Sequence, residues 1–205
     1  RAYDLTLGEI SQKIRSTALE LPGGSIKTGG GEIIAALLDA WGVDGTTTSY
    51  AQLMGLPEGD LSTTYYFPAY NNKSLYNQIR FANMGDDPTT VTVTIGGVIQ
   101  GTYDLDPDED KRVDYDLNSG PVVVSSDGEP IIAAILDAWQ VDGTTTSYSQ
   151  LMGLPAERLS DTYVFPAYNN RTLYNQIRFG YVGNDPTAVY VTIRGVEQPI
   201  YDLDP

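Results

Sequence analysis

Apolar and polar residues alternate along several short stretches of the chain, and this period of two predicts β-strands. In "TTVTVTIGG" the apolar residues Val91, Val93 and Ile95 fall on one side, while the threonines between them fall on the other. The stretch "LYNQIRF" alternates in the same way, and "GPVVVSSDG" is a short apolar run between turn residues. The pattern therefore predicts short, half-buried strands rather than long helices.

Glycine and proline mark the turns between these strands. Gly96-Gly97 after "VTVTI" predicts a two-residue hairpin, and Arg194-Gly195 stands at the same place in a second, similar stretch. The words "GDDP" and "GNDP" are further turn signals. Antiparallel hairpins are therefore expected in both stretches.

Two segments are ambiguous by periodicity. "EIIAALLDAW" fits a helix or a strand, and its paired isoleucines after Gly and Glu favour a strand. "SYAQLMGLP" predicts one or two helical turns, because Ser49 and Gln52 form a capping-box pattern that Gly55 and Pro57 end. The same pattern recurs at Ser147, Gln150, Gly153 and Pro155.

The chain contains a tandem repeat. Residues 33–107 align with residues 131–205 without a gap, and 55 of the 75 aligned positions are identical. The unit is about the size of a common domain, so the repeat predicts a duplicated structural module. The final "YDLDP" also occurs inside the chain, where it continues into the next unit.

These elements predict an all-β fold of tandem immunoglobulin-like antiparallel β-sandwiches, because each repeat holds several short strands with frequent turns. One complete sandwich is predicted for residues 48–140. Residues 1–47 and 141–205 then supply two half-sandwiches, so that one sandwich is permuted and split between the N-terminal and C-terminal halves of the chain. In this scheme Phe67 and Phe165 are core residues.

The words "MGLP", "TYYFPAYNN", "NQIRF", "VTVTIGG" and "SGPVVV" together resemble a repeat found in tandem in secreted prokaryotic surface proteins. The resemblance covers nearly the whole chain twice. It implies β-sandwich modules of long extracellular or filament proteins, and no catalytic residue. Lys73 and Arg171 depart from the small or aliphatic residue that usually follows "YNN" in this repeat.

A half-sandwich exposes an apolar face and a strand edge, so the two halves need a partner. The N-terminal half completes the C-terminal half of the same chain, completes that of a neighbouring chain, or belongs to a longer array. The junction words "DAWGVDGTTTSY" and "DAWQVDGTTTSY" are nearly identical, and a repeated junction generates an open array unless its rotation is 180°. We therefore expect self-association, head to tail, by strand complementation.

Composition narrows the partners and the chemistry. The net charge is -15, which disfavours nucleic acid and anionic membranes, and no apolar run is long enough to insert into a membrane. The chain has no Cys and no His, so thiol nucleophiles and histidine triads are excluded. Many Tyr and Thr with few Lys fit an extracellular β protein at a cell surface.

Two asparagines, Asn72 and Asn170, start Asn-x-Ser/Thr sequons, and we expect them to carry glycans. A chance pattern copied by the duplication is the alternative. Two hydroxyl runs are candidates for O-glycosylation, with a polar linker as the alternative. They comprise Thr46, Thr47, Thr48, Thr144, Thr145 and Thr146.

Acidic and aromatic clusters suggest two further kinds of site. Alternate aspartates in "DLDPDED" are candidate calcium ligands, and a solvated acidic turn is the alternative. They are Asp104, Asp106, Asp108 and Asp110. A tyrosine-rich face could stack on sugar rings or pack in a sheet. It comprises Tyr65, Tyr66, Tyr70, Tyr76, Tyr163, Tyr168 and Tyr174.

The sequence therefore predicts a non-enzymatic structural subunit of an extracellular filament or surface layer. No cofactor is expected apart from calcium in the acidic turn. A carbohydrate-binding or adhesive module of a secreted surface protein is the alternative function.

Overall fold

The computed structural model describes residues 36–43, 46–141, 144–172 and 175–204. Within these ranges the chain is almost entirely β, which confirms the predicted all-β class. Two 3-10 turns, Glu58–Asp60 and Ala156–Arg158, follow the two copies of "MGLP". The predicted half-sandwich 1–47 lies mostly outside the described residues.

Thirteen described strands precede the second 3-10 turn, and most of them form one central unit. They are β1 (Ala36–Val43), β2 (Thr46–Met54), β3 (Thr64–Phe67), β4 (Tyr70–Asn71), β5 (Tyr76–Asn83), β6 (Thr89–Ile95), β7 (Val98–Leu105), β8 (Asp110–Val113), β9 (Asn118–Ser119), β10 (Val122–Ser126), β11 (Ile131–Val141), β12 (Thr144–Met152) and β13 (Leu154–Pro155). "EIIAALLDAW" and its copy contribute β1 and β11, as predicted.

The central unit consists of two antiparallel sheets around one core. One sheet has the order β13-β3-β10-β6-β7 and the other has the order β12-β11-β5-β8. Alternate residues of β3, β5, β6, β10 and β11 are buried, because successive side chains of a strand point to opposite faces. The arrangement fits a β-sandwich, with Tyr65, Phe67, Ile79, Phe81 and Val93 among its buried residues.

The hairpin between β6 and β7 has the predicted two-residue turn. Gly96 and Gly97 both have positive φ, at 57° and 76°. This geometry matches the right-handed twist of the flanking strands. In the second copy Arg194 and Gly195 adopt the same conformation, with φ of 51° and 78°. An arginine therefore occupies a backbone position that glycine fills in the first copy.

Fewer strands are formed after residue 158. Those described are β14 (Thr187–Val189), β15 (Thr192–Ile193), β16 (Val196–Glu197) and β17 (Tyr201–Leu203). They pair as β14 with β17 and β15 with β16, which reproduces the β6–β7 hairpin. Residues 162–165 and 175–181 belong to no strand, although their copies lie in β3 and β5. The described part of this C-terminal half therefore contains one hairpin and no closed pair of sheets.

The predicted helical turn at "SYAQLMGLP" is wrong. Both copies are strands, β2 and β12, each the second arm of a hairpin with β1 or β11. Pairing along the whole length of the neighbouring strand outweighs the local capping pattern. The predicted unit boundary at 140/141 falls inside β11, before its last residue. Beyond it, β12 pairs with β11 and β13 pairs with β3, so both strands belong to the central unit.

The duplicated phenylalanine gives a matched test of where the core lies. Phe67 is 1% exposed and its copy Phe165 is 70% exposed. We expect Phe67→Ala to lower the free energy of unfolding by about 3–5 kcal/mol, because it leaves a cavity in the core. In dilute protein Phe165→Ala should cost less than about 1 kcal/mol. Urea denaturation followed by circular dichroism measures both, and equal losses would contradict this description of the core.

Candidate functional site

The C-terminal half presents an open apolar face. Tyr163 is 51% exposed where its copy Tyr65 is fully buried, and Ile177 is 36% exposed where Ile79 is fully buried. By contrast, Val98 and Val196 are 61% and 62% exposed, because both lie at a hairpin tip. The exposed fraction of the side chain thus differs between the copies at these core positions and is nearly the same at the hairpin tip. The described residues leave uncovered the face that corresponds to the core of the central unit.

A cleft of about 300 Å³ lies on this face. Its lining comprises Tyr168, Asn175, Gln176, Ile177, Phe179, Val191, Ile193, Gln198 and Tyr201. Most of these residues are copies of core or strand residues of the central unit, among them Tyr70, Asn77, Ile79, Phe81, Val93 and Ile95. The cleft is therefore the place where a core would form if further strands were present.

The central unit shows which strands cover this face. There β11 pairs with β5 in antiparallel register, so that Ile135 lies opposite Ile79 and Asp137 opposite Asn77. The hairpin β1–β2 has nearly the same sequence as β11–β12 and the same register, including an irregularity after Trp41 that repeats the one after Trp139. Leu37, the copy of Ile135, is 54% exposed. The chain thus contains a second hairpin of the covering type.

A loop rich in asparagine, which we call the asparagine loop (residues 70–77, with its copy at 168–175), borders the open face. The Asn71 side-chain oxygen accepts hydrogen bonds from the backbone N–H groups of Lys73 and Ser74, both at 3.1 Å. The Asn72 side chain accepts from the Asn77 N–H at 2.6 Å and donates to the Tyr70 hydroxyl at 3.2 Å. The loop is thus held by side-chain amides.

The second copy of the asparagine loop keeps this geometry. The Asn169 oxygen accepts from the Arg171 N–H at 3.0 Å and from the Thr172 N–H at 3.3 Å. Asn170 accepts from the Asn175 N–H at 2.5 Å and donates to Tyr168 at 2.7 Å. The loop therefore forms even where the surrounding sheets do not, since its hydrogen bonds are local.

Asn77 connects the loop to the covering strand. Its side chain is fully buried, accepts from the Asn71 N–H at 2.7 Å, and donates to Asp137 of β11. Burial raises the pKa of the Asp137 carboxyl, and the Arg178 guanidinium, 3.8 Å away, lowers it by a smaller amount. Asp137 therefore links its own unit to the C-terminal half that follows.

Burial also acts on the tyrosine of the loop. It raises the pKa of Tyr70 to about 12, although a hydrogen bond from the Tyr115 N–H opposes the shift. Of the tyrosine-rich face, Tyr65 and Tyr70 are fully buried, whereas Tyr66 and Tyr76 are partly exposed. The first copy of this face thus lies mainly in the core. In the second copy Tyr163 and Tyr168 border the open face, and Tyr174 lies outside the described residues.

The sequon asparagines lie in the asparagine loop. Asn72 is partly exposed and Asn170 is exposed. The Ser74 hydroxyl accepts from Asn71 at 2.7 Å and the Thr172 hydroxyl from Asn169 at 2.7 Å, so neither hydroxyl bonds the sequon amide. The sequence analysis missed Asn71, Asn77 and their copies. The sequence feature that indicates these residues is an Asn-Asn doublet followed by an Asn within a strand, where asparagine is uncommon.

The other predicted sites lie in strands and turns. Thr46–48 begin β2 and Thr144–146 begin β12, so these threonines are in hairpins rather than in a linker. The four aspartates of the acidic turn do not converge, and the described residues contain no cluster of three acidic side chains that could hold a metal ion. Asp104 instead accepts a hydrogen bond from Thr90 at 3.0 Å.

The two repeats also contact each other directly. Strand β2 lies beside β12, its copy. Beyond them the Arg158 guanidinium is 2.5 Å from the Asp60 carboxylate, and these two residues occupy equivalent positions 98 apart. Acid in one copy and base in the other make this contact attractive.

Comparison with known proteins gives little further information. No protein-family model matches the chain, and no curated protein matches it. A solved structure, "Crystal Structure of Thermotoga maritima 1070", is similar with a TM-score of 0.38 and 15% identity. The match covers 48% of this chain and 97% of that chain, and it is too weak to bear on fold or function. Within the described residues no helix is long and apolar enough to cross a bilayer.

The raised pKa of Asp137 gives a testable dependence of stability on pH. The folded carboxyl binds its proton more tightly than the unfolded one, whose pKa is 3.8. Wild-type stability from this group is therefore fully present below pH 3.8 and is lost as the pH rises through the folded pKa. Asp137→Asn keeps an oxygen acceptor for Asn77. We expect its free energy of unfolding, relative to wild type, to increase with pH and then level off.

Urea denaturation of both proteins across this pH range measures the difference. Asp86→Asn, which removes an exposed charge from a turn, is the control for net charge. If the difference in free energy of unfolding between Asp137→Asn and wild type stays constant with pH, or follows that of the control, the raised pKa of Asp137 is contradicted.

Proposed function

We propose that this protein is a structural subunit of an extracellular filament or surface layer, built from tandem immunoglobulin-like β-sandwiches that join head to tail by strand complementation. The open C-terminal half is the acceptor. A hairpin of the β11–β12 type is the donor, and β1–β2 of a second copy supplies it. The subunit has no catalytic role in this proposal.

The observation that carries the proposal is the difference in exposure between equivalent core residues. Phe165 and Tyr163 are exposed where Phe67 and Tyr65 are buried, and β11, which contributes to the same core, has a second copy in β1. An uncovered apolar face of this kind is unfavourable in water and is covered most directly by the strands that cover its duplicate. Because donor and acceptor are copies of β11 and β5, the proposal gives them the register that β11 and β5 have in the central unit.

The alternative of a carbohydrate-binding module is supported less well. The cleft does contain tyrosines and amides that suit a sugar. Its lining nevertheless matches core and strand positions of the central unit, including Phe179 and Ile193, whose copies Phe81 and Ile95 are 2% exposed. A strand is therefore a better occupant than a sugar. The extracellular location rests on composition and on the resemblance to repeats of secreted surface proteins.

The test compares assembly of the whole chain with that of two charge-introducing variants. Wild type should form concentration-dependent oligomers in sedimentation velocity and linear particles in electron micrographs. Leu37→Asp places a charge on the donor, and Phe165→Asp places one on the acceptor. We expect each to raise the concentration needed for assembly by roughly a hundredfold, because a buried charge without a partner costs several kcal/mol.

Val98→Asp is the matched control, because Val98 is 61% exposed in the central unit and its copy is exposed to the same degree. This variant should assemble like wild type. A wild-type chain that stays monomeric at high concentration would overturn the filament proposal. Glycan binding by such a monomer would favour the alternative function instead.

Glycosylation is tested separately on protein from its native source. We expect the intact mass to exceed the 22.3 kDa of the bare chain, with the excess on Asn72 and Asn170. A sugar replaces one hydrogen of the side-chain amide, and the other can still bond the adjacent tyrosine hydroxyl, so the loop is compatible with modification. A mass equal to that of the bare chain would rule out use of the sequons and of the threonine runs.

A further inference from the structure

The buried hydrogen bond between Asn77 and Asp137 has a potential counterpart at the open face. In the central unit Asn77 lies opposite Asp137 where β5 pairs with β11. Asn175 is the copy of Asn77, and Asp39 is the copy of Asp137 in the hairpin β1–β2. The backbone places Asp39 opposite Ala51, as it places Asp137 opposite Ser149, so the two hairpins share one register.

The acceptor side of this counterpart is already formed. The Asn175 oxygen accepts a hydrogen bond from the Asn169 N–H at 2.5 Å, as the Asn77 oxygen accepts from Asn71. The Asn175 N–H in turn donates to Asn170. These local bonds fix the side-chain amide through its oxygen, so that its nitrogen corresponds to the one that donates to Asp137 in the central unit. The site is thus organised before a strand arrives.

We propose that the Asn175 amide is the docking point for the Asp39 carboxylate and sets the register of the donated hairpin. This inference rests on the proposed function, and it names the polar contact that positions the partner. A carboxylate that leaves water requires a donor, and a shift of two residues, which keeps the same face, would place it opposite Leu173 or Ile177. The apolar side chains supply most of the attraction, and the Asp39–Asn175 pair selects one alignment.

The experiment exchanges the two partners in the full chain. Asn175→Asp keeps an oxygen for the Asn169 N–H but sets one carboxylate against another, so the assembly concentration should rise roughly tenfold or more. Asp39→Asn alone keeps an oxygen acceptor and should change it less than about threefold. The double variant restores a donor and an acceptor with exchanged roles, and it should assemble within about threefold of wild type.

Asn184→Asp is the matched control. It makes the same change from amide to carboxylate in an exposed turn outside the lining of the cleft, at a position where the first copy carries Asp86. Circular dichroism of all variants checks that the central unit remains folded. If Asn175→Asp assembles as well as Asn184→Asp, or if the double variant is no better than Asn175→Asp, the docking pair is wrong while the filament proposal stands.

A monomeric wild type would overturn the filament proposal. The Asp39–Asn175 pair is then tested as a contact within one chain. The same four proteins are then compared by their thermal unfolding midpoints. Loss in Asn175→Asp and recovery in the double variant would place the pair within one chain. The absence of that pattern would overturn the pair as well.

Discussion

The structure depends on the covering of one apolar sheet face by strands distant in sequence. In the central unit β11 supplies this cover, and its pairing with β5 brings Ile131, Ala133 and Ile135 over the side chains of the opposite sheet. The transfer of these side chains from water is the main favourable term in such a fold. The remaining features, including the hairpin tips and the acidic turns, are arranged around that contact.

The asparagine loop performs a different task from the core. Its hydrogen bonds close within eight residues, so it forms in both copies regardless of what the sheets around it do. It then offers a buried amide to a carboxylate on the covering strand. A shift of one residue would turn the apolar side chains to the other face, whereas a shift of two keeps them inside and is opposed by the single pair of amide and carboxylate. The two kinds of contact are therefore complementary.

Much of the fold follows from local patterns in the sequence. Alternation predicts β5 and β6, and Gly96-Gly97 predicts the turn that the structure contains. The capping pattern at Ser49 misled, because hairpin pairing with β1, the preceding strand, outweighs the local helical preference. The asparagine network was not predictable from spacing alone, since Asn71 and Asn77 become neighbours only when the loop turns back on itself. The four aspartates of the acidic turn extend from the end of β7 through the turn to the start of β8, and among the described residues they form no cluster that could hold a metal ion.

The pairing of β13 with β3 also has a consequence for the order of folding. The five-stranded sheet is not complete until Leu154 and Pro155 are available to pair with Tyr66 and Tyr65. The hairpin β1–β2 has been complete since residue 54, about 100 residues earlier, which at ribosomal speed is roughly 5–20 s. During that interval the hairpin is exposed with no formed sandwich beside it. A chain of this design thus depends on the hairpin remaining soluble while unpaired, and the three threonines, one serine and two aspartates of residues 36–54 are the polar residues that favour this.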